Sequence, residues 1–231
     1  MAKFVIEGGY KLKGQLSVSS AKNSAVALLC ASLMIEGQVT LRDMPRIEEV
    51  GRILEILASL GVKIDWRDEH TLVLDTSKKL AMDKIDRHAC EITRSSMLLL
   101  GALAQREKKY KLYKSGGCKL GERTVRPHLY ALEKLGVSAV SRDKYYEVAT
   151  GNLKGAEIVM YESGDTPTEN AIMAAALAEG ETVIKFASAN YMVQDLCHFL
   201  NRAGAKIEGI GSTTMKIHGV KSLKPKVEYS V

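Results

Sequence analysis

The chain has 231 residues, 33 Lys and Arg against 27 Asp and Glu, a formal net charge of +6 and 46% hydrophobic residues, an ordinary globular composition that excludes collagen, a disordered tail and a coiled coil. This length holds one large domain or two small ones, with enough apolar material for a core that needs neither a disulfide nor a metal. The basic residues are spread along the chain instead of forming a stripe with interleaved aromatics, which disfavours nucleic acid as a partner, and the longest apolar runs, such as residues 24–35, fall short of the roughly 20 residues of a membrane span.

In chain order, FVIEG (residues 4–8) and QLSVS (residues 15–19) alternate as strands. A polar start at Lys22 then leads into an apolar helix and a strand, KNSAVALLCASLMIEGQVTLRD, followed by a second helix, VGRILEILASLG, and the strand pair VKID and TLVLD. The order returns as TRSSMLLLGALAQREKKYKLYK from Thr93, a glycine-rich loop at residues 114–123, the helix RPHLYALEKLG, and the strands VSAV and YYEVA. It returns again as TENAIMAAALAEGETVIKFAS from Thr168, the helix VQDLCHFLNRAG, and the strands AKIE and TMKIHG. Here Thr168 reads as the helix N-cap and Pro167 as a turn former.

Gly37, Lys108 and Gly180 mark equivalent turns at spacings of 71 (37 to 108) and 72 (108 to 180) residues, so the chain is an internal repeat of three βαβαββ-like units. Gly61, Gly136 and Gly204 stand where each second helix needs a left-handed residue at its end. Alternating helices and short strands predict an α/β fold in which the Ala/Leu helices pack on one another and the sheets lie outside. AIMAAALA, apolar nearly all round, is expected to be buried. The domain reading is an N-terminal strip at residues 1–21, a three-unit domain at 22–220 and a linker at 221–231.

The four cysteines, Cys30, Cys90, Cys118 and Cys197, form no CxxC pair, and MAKFVIEGGY lacks a signal-peptide core, which reads as reduced thiols in the cytosol. Cys30, Cys90 and Cys197 fall in apolar contexts as packing residues. Cys118 lies in a loop with Gly116, Gly117 and Gly121, beside Lys119 and near Arg123; neighbouring cations lower a thiol pKa, so it is either an activatable thiol or an incidental one in a turn. Lys22 and Arg94 stand at the starts of equivalent helices, where free N–H groups and the dipole favour an anion. The same positions also suit solvated surface residues. His128 and His198 have no second ligand at metal spacing, so no metal site is read.

The stretches VSSAKNSAVALLCASL, TRSSMLLLGAL, SGGCKLGERTVRPHLYALEKLG, TENAIMAAALAEGETVI and QDLCHFLNRAGAKIEGIG resemble the N-terminal half of the UDP-N-acetylglucosamine 1-carboxyvinyltransferases, members of the enolpyruvyl transferase family. The resemblance runs nearly end to end. It implies an inside-out α/β barrel domain of three βαβαββ repeats, with the strip at 1–21 belonging to the family's other domain. It also implies transfer of the enolpyruvyl group of phosphoenolpyruvate to the 3′-hydroxyl of UDP-N-acetylglucosamine in cytoplasmic peptidoglycan precursor synthesis, without a cofactor. On this resemblance Cys118 is the catalytic proton donor or the thiol that captures phosphoenolpyruvate, Lys22, Arg94 and Arg123 bind phosphoenolpyruvate, and Asn23 contacts the sugar nucleotide.

The chain departs from the family at Ser20 and Lys119, at Thr124-Val125-Arg126 in place of Pro-Val-Asp, at residues 164–168 in place of Ser-Val-Gly-Ala-Thr, and at residues 189–192 in place of Arg-Glu-Pro-Glu. These changes fall on the acceptor side. The family's general base lies in its C-terminal half, so the resemblance further implies a complementing second half or self-association. Two alternatives stand beside it: a noncatalytic half-length homologue that binds a nucleotide sugar or a protein, and an enolpyruvyl transferase with another acceptor.

Overall fold

The computed structural model describes residues 3–115 and 124–231. Residues 3–20 form no strand. Phe4 is 92% exposed and Leu16 85% exposed, so the alternation in FVIEG and QLSVS is present, but no neighbouring edge among the described residues takes up its hydrogen bonds. A lone extended segment gains too little to order itself as a strand.

The chain then runs α1 (Lys22–Ser32), β1 (Gln38–Arg42), α2 (Glu48–Ser59), β2 (Lys63–Trp66) and β3 (Leu72–Asp75). A 3-10 turn at Met82–Lys84, α3 (Arg87–Ile92) and a second 3-10 turn at Arg94–Leu98 lead into α4 (Leu99–Ala102), β4 (Lys109–Tyr113), α5 (Arg126–Leu135), β5 (Val137–Ser141) and β6 (Tyr145–Thr150). The last stretch is β7 (Glu157–Val159), α6 (Asp165–Ala176), β8 (Glu181–Lys185), α7 (Tyr191–Arg202), β9 (Lys206–Glu208), β10 (Thr214–His218) and β11 (Lys226–Ser230).

The strands form three separate sheets, ordered β11-β1-β3-β2, β4-β6-β5 and β7-β8-β10-β9. They do not close on one another, so the architecture is mixed α/β with no closed barrel among the described residues. Each sheet alternates buried and exposed residues, as in β1 and β8, because one face rests on helices and the other meets water. Residues 24–32 of α1 and 167–176 of α6 are buried, as expected of helices apolar all round. The amphipathic helices α2, α5 and α7 bury one face each. Gly61, Gly136 and Gly204 have φ of +91°, +101° and +102°, the left-handed conformation their positions demand.

Three expectations are corrected. The second Ala/Leu stretch is a 3-10 turn capped by Thr93, whose side chain accepts from Ser95 N–H, and only residues 99–102 are α-helical. Helix α6 starts at Asp165, not after Pro167; Pro167 sits in its first turn, where a missing N–H costs nothing, and the Thr168 hydroxyl donates to Gly164 O at 2.7 Å inside the helix. The tail at 221–231 contains β11, which runs parallel to β1 in register Gln38↔Lys226 through Arg42↔Ser230. Its alternating Val227 and Tyr229 supply a fourth strand to the first sheet, as β7 does beside β8 in the third.

Gly101 of α4 lies where the backbones of α4 and α6 meet: a Cβ there would stand 2.4 Å from Asn170 O. That contact lets buried Asn170 join three elements. Its Oδ1 accepts from Gly101 N–H at 2.7 Å, and its Nδ2 donates to Met97 O at 3.0 Å and faces His128 Nδ1 at 2.8 Å.

Candidate functional site

The N-terminal ends of α1, of the 3-10 turn at Arg94 and of α6 open onto one cleft of ≈ 1330 Å³. Neither Ala21 before α1 nor Gly164 before α6 caps its helix with a side chain, so first-turn N–H groups of both remain available. Lys22, Asn23 and Arg94 all line this cleft. Cys118 and Arg123 lie outside the described residues; Thr124, which follows them, lines the cleft.

Lys22 Nζ is ion-paired with Glu49 Oε2 at 2.9 Å. The other oxygen of Glu49 accepts from Thr93 Oγ1 at 3.0 Å and from Ser95 Oγ. Burial pulls the Glu49 carboxyl upward, but the hydrogen bonds from Ser95, Lys22 and Thr93 outweigh it and hold the group below the usual carboxylate range. Glu49 thus fixes a cation on α1 to the turn that carries Arg94. Arg94 Nη2 reaches Thr124 O at 3.5 Å. Lys22 beside the uncapped start of α1 and Arg94 in the Thr93-capped turn thus bring two cations to one wall of the cleft.

The α6 side of the cleft has a different character. Asp165 Oδ1 accepts from Ser188 Oγ at 2.5 Å and Asn190 Nδ2 at 2.8 Å, placing a carboxylate in the first turn of that helix. His128 is buried, and burial, with the Arg94 charge second, pushes its imidazole down to about 4. Because Gly101 N–H fixes Asn170 Oδ1, the Asn170 amide nitrogen points at His128 Nδ1, which must accept. The His128 proton is therefore on Nε2, directed at Thr166 Oγ1 3.5 Å away.

Cys30, Cys90 and Cys197 are buried, with burial raising all three thiols, Cys90 and Cys197 to about 12; they are packing residues, as the sequence indicates. Glu49 and Glu169 were not among the sequence-derived candidates. They carry no local motif and join the cleft only through tertiary packing, whereas Asp165 belongs to the departing segment 164–168 noted in the sequence.

The chain shares its fold with the enolpyruvyl transferases: the crystal structure of the enolpyruvyl transferase NikO from Streptomyces tendae superposes with a TM-score of 0.83 at 22% identity, over 97% of this chain and 53% of that one. A family model described as EPSP synthase (3-phosphoshikimate 1-carboxyvinyltransferase) matches residues 6–231, and the chain belongs to this family. It is 39% identical over 227 residues to a UDP-N-acetylglucosamine 1-carboxyvinyltransferase of Borreliella burgdorferi, covering 98% of this chain and 53% of that protein. It is 38% identical over 231 residues to the protein of the same name from Desulfatibacillum aliphaticivorans, covering 100% of this chain and 55% of that protein. The chain spans about half the length of the curated relatives it matches.

Proposed function

We propose that this chain forms one wall of an enolpyruvyl transfer site, which moves the enolpyruvyl group of phosphoenolpyruvate to the 3′-hydroxyl of UDP-N-acetylglucosamine in cytoplasmic peptidoglycan precursor synthesis. The observation that carries the reading is the meeting of Lys22, Asn23 and Arg94, from two related stretches of sequence, in one cleft. Phosphoenolpyruvate brings a phosphate and a carboxylate, and the transfer proceeds by protonating its methylene while the acceptor oxygen attacks the adjacent carbon. The hydroxyl gives up its proton on addition, and phosphate then leaves as the new methyl carbon loses a proton, which restores the carbon–carbon double bond. Lys22, Arg94 and Arg123 hold the anionic groups, Asn23 contacts the sugar nucleotide, and Cys118 supplies the proton or captures the substrate. In this reading the three units form the inside-out barrel domain of the family, and residues 1–21 pair with a second half, supplied by another chain or by self-association.

Asp165 favours a second reading, in which the acceptor is not a diphosphate, since its carboxylate lines the cleft and would repel one bound near it. The test is phosphate release from phosphoenolpyruvate by the chain alone and by the chain mixed with the C-terminal half of a relative. Release in the mixture with UDP-N-acetylglucosamine, abolished by Cys118→Ala, supports the first reading. Release that needs another hydroxyl compound supports the second. Tight binding of phosphoenolpyruvate with no release under any pairing refutes both.

A further inference from the structure

Glu169 is the most deeply buried carboxyl group of the cleft and has no assigned role. It lies on α6 one turn beyond Asp165, lines the cleft and is 2% exposed. Its Oε1 has no hydrogen-bond partner among the described residues. Polar groups buried this way normally find a partner, because leaving one unmet costs stability. The groups that act on it electrostatically do not neutralise a negative charge: Cys30 on α1 and Cys197 on α7 are thiols that burial keeps protonated, and Asp165 on α6 is another acid; Arg94 and His128 share the cleft, with the Arg94 charge acting on His128. Lys22 at the cleft wall is already engaged by Glu49. Burial first, and the Asp165 charge second, push the Glu169 carboxyl up to about 8. A neutral acid is both an O–H donor and a carbonyl acceptor.

We infer that Glu169 is a ligand-binding group of the cleft, presented as the neutral acid, whose O–H is donated to an oxyanion held by Lys22 and Arg94. This rests on the proposed reading of the cleft as the phosphoenolpyruvate site. Near an oxyanion an ionised carboxylate repels, whereas a protonated one donates a charge-assisted hydrogen bond. The field of Asp165 therefore serves binding indirectly, by keeping its neighbour on α6 neutral. Ionisation of Glu169 at higher pH turns the donor into a repelling charge, so binding becomes linked to one proton.

The test is calorimetric titration of the full chain with phosphoenolpyruvate, and with inorganic phosphate as the simpler oxyanion, from pH 6.5 to 9. Glu169→Gln keeps a donor but cannot ionise; Glu169→Leu has similar volume and no donor; Arg94→Ala reports on the cleft itself. The inference expects wild-type affinity to fall about tenfold between pH 7 and pH 9. Glu169→Gln should hold its affinity across that range, and Glu169→Leu should bind roughly tenfold more weakly at pH 7. Titrations at pH 8.5 in two buffers of different ionisation enthalpy should register uptake of about three-quarters of a proton by the wild type and none by Glu169→Gln. If Glu169→Leu binds like the wild type with proton uptake unchanged while Arg94→Ala binds weakly, Glu169 is only a buried acid and the cleft reading survives. If neither ligand binds any form, both ideas fall. Thermal melts of the variants confirm that each is folded.

Discussion

Replacing Glu169 with glutamine should reshape the pH dependence of stability in a way that can be worked from the structure without any ligand. In the unfolded chain the carboxyl titrates near 4.5, and in the fold near 8. The folded state therefore binds the extra proton between these values, and stability falls as pH rises through the window. At about 1.4 kcal/mol per pH unit, the loss at pH 7 is about 3 kcal/mol, growing to about 5 kcal/mol above pH 8. His128 works in the opposite direction: its folded value is about 4 against 6.5 unfolded, so stability rises with pH across that lower window. Between pH 4.5 and 6.5 the two slopes nearly cancel. The wild type should thus show a plateau up to about pH 6.5 and then a decline toward pH 8. Glu169→Gln should keep rising to about pH 6.5 and stay flat beyond it. Urea unfolding at half-unit pH steps, monitored by circular dichroism, gives both curves, and parallel curves for the two proteins would refute the assignment of a raised carboxyl at this site.

Other outcomes follow from the packing. Asn170→Ala removes the partners of Gly101 N–H, Met97 O and His128 Nδ1 and should cost about 3 kcal/mol in urea unfolding. Gly101→Ala places a methyl group 2.4 Å from Asn170 O and should cost about 1 to 3 kcal/mol, with the loss concentrated where α4 meets α6. Glu49→Gln removes the partner that fixes Lys22; it should weaken phosphoenolpyruvate binding about tenfold by calorimetry while changing stability by less than 1 kcal/mol, since an exposed or half-exposed pair contributes little. Deleting residues 1–19, whose apolar side chains Phe4, Ile6 and Leu16 are exposed, should lower self-association in light scattering and leave the unfolding midpoint unchanged, because residues 3–19 are exposed throughout.

Most of the α/β order was legible because it is written in local patterns. The spacing of Gly61, Gly136 and Gly204 marks three helix ends, and the apolar runs at residues 24–35 and 171–178 mark helices with no exposed face. The repeat put Lys22 and Arg94 at equivalent helix starts, and the family resemblance implied that they share a ligand. What the sequence hid depends on distance. The strand character of residues 226–230 has meaning only beside β1, and FVIEG has the right alternation without an edge to join. Glu49 and Glu169 look like ordinary helical acids until packing places one under Lys22 and the other among thiols. Thr93-Arg94-Ser95-Ser96 favours a cap followed by helix, yet the turn tightens to 3-10 as the Ser96 hydroxyl bonds back to Thr93 O at 2.8 Å and Cys90 O at 3.3 Å.

The pairing of β11 with β1 also sets a timetable for folding. Gln38 and its partner Lys226 lie 188 positions apart (38 to 226), so the first sheet cannot be completed until residues 226–230 have left the ribosome. Helices α1 and α2 and the β1-β3-β2 hairpins can form early, but β1 keeps an open edge through the synthesis of the other two stretches. Closing so long a loop is slow relative to local helix formation. During that interval the exposed edge of β1 is the place where a second nascent chain could add a strand. A strand made 188 positions later (38 to 226) is therefore the one that shields β1.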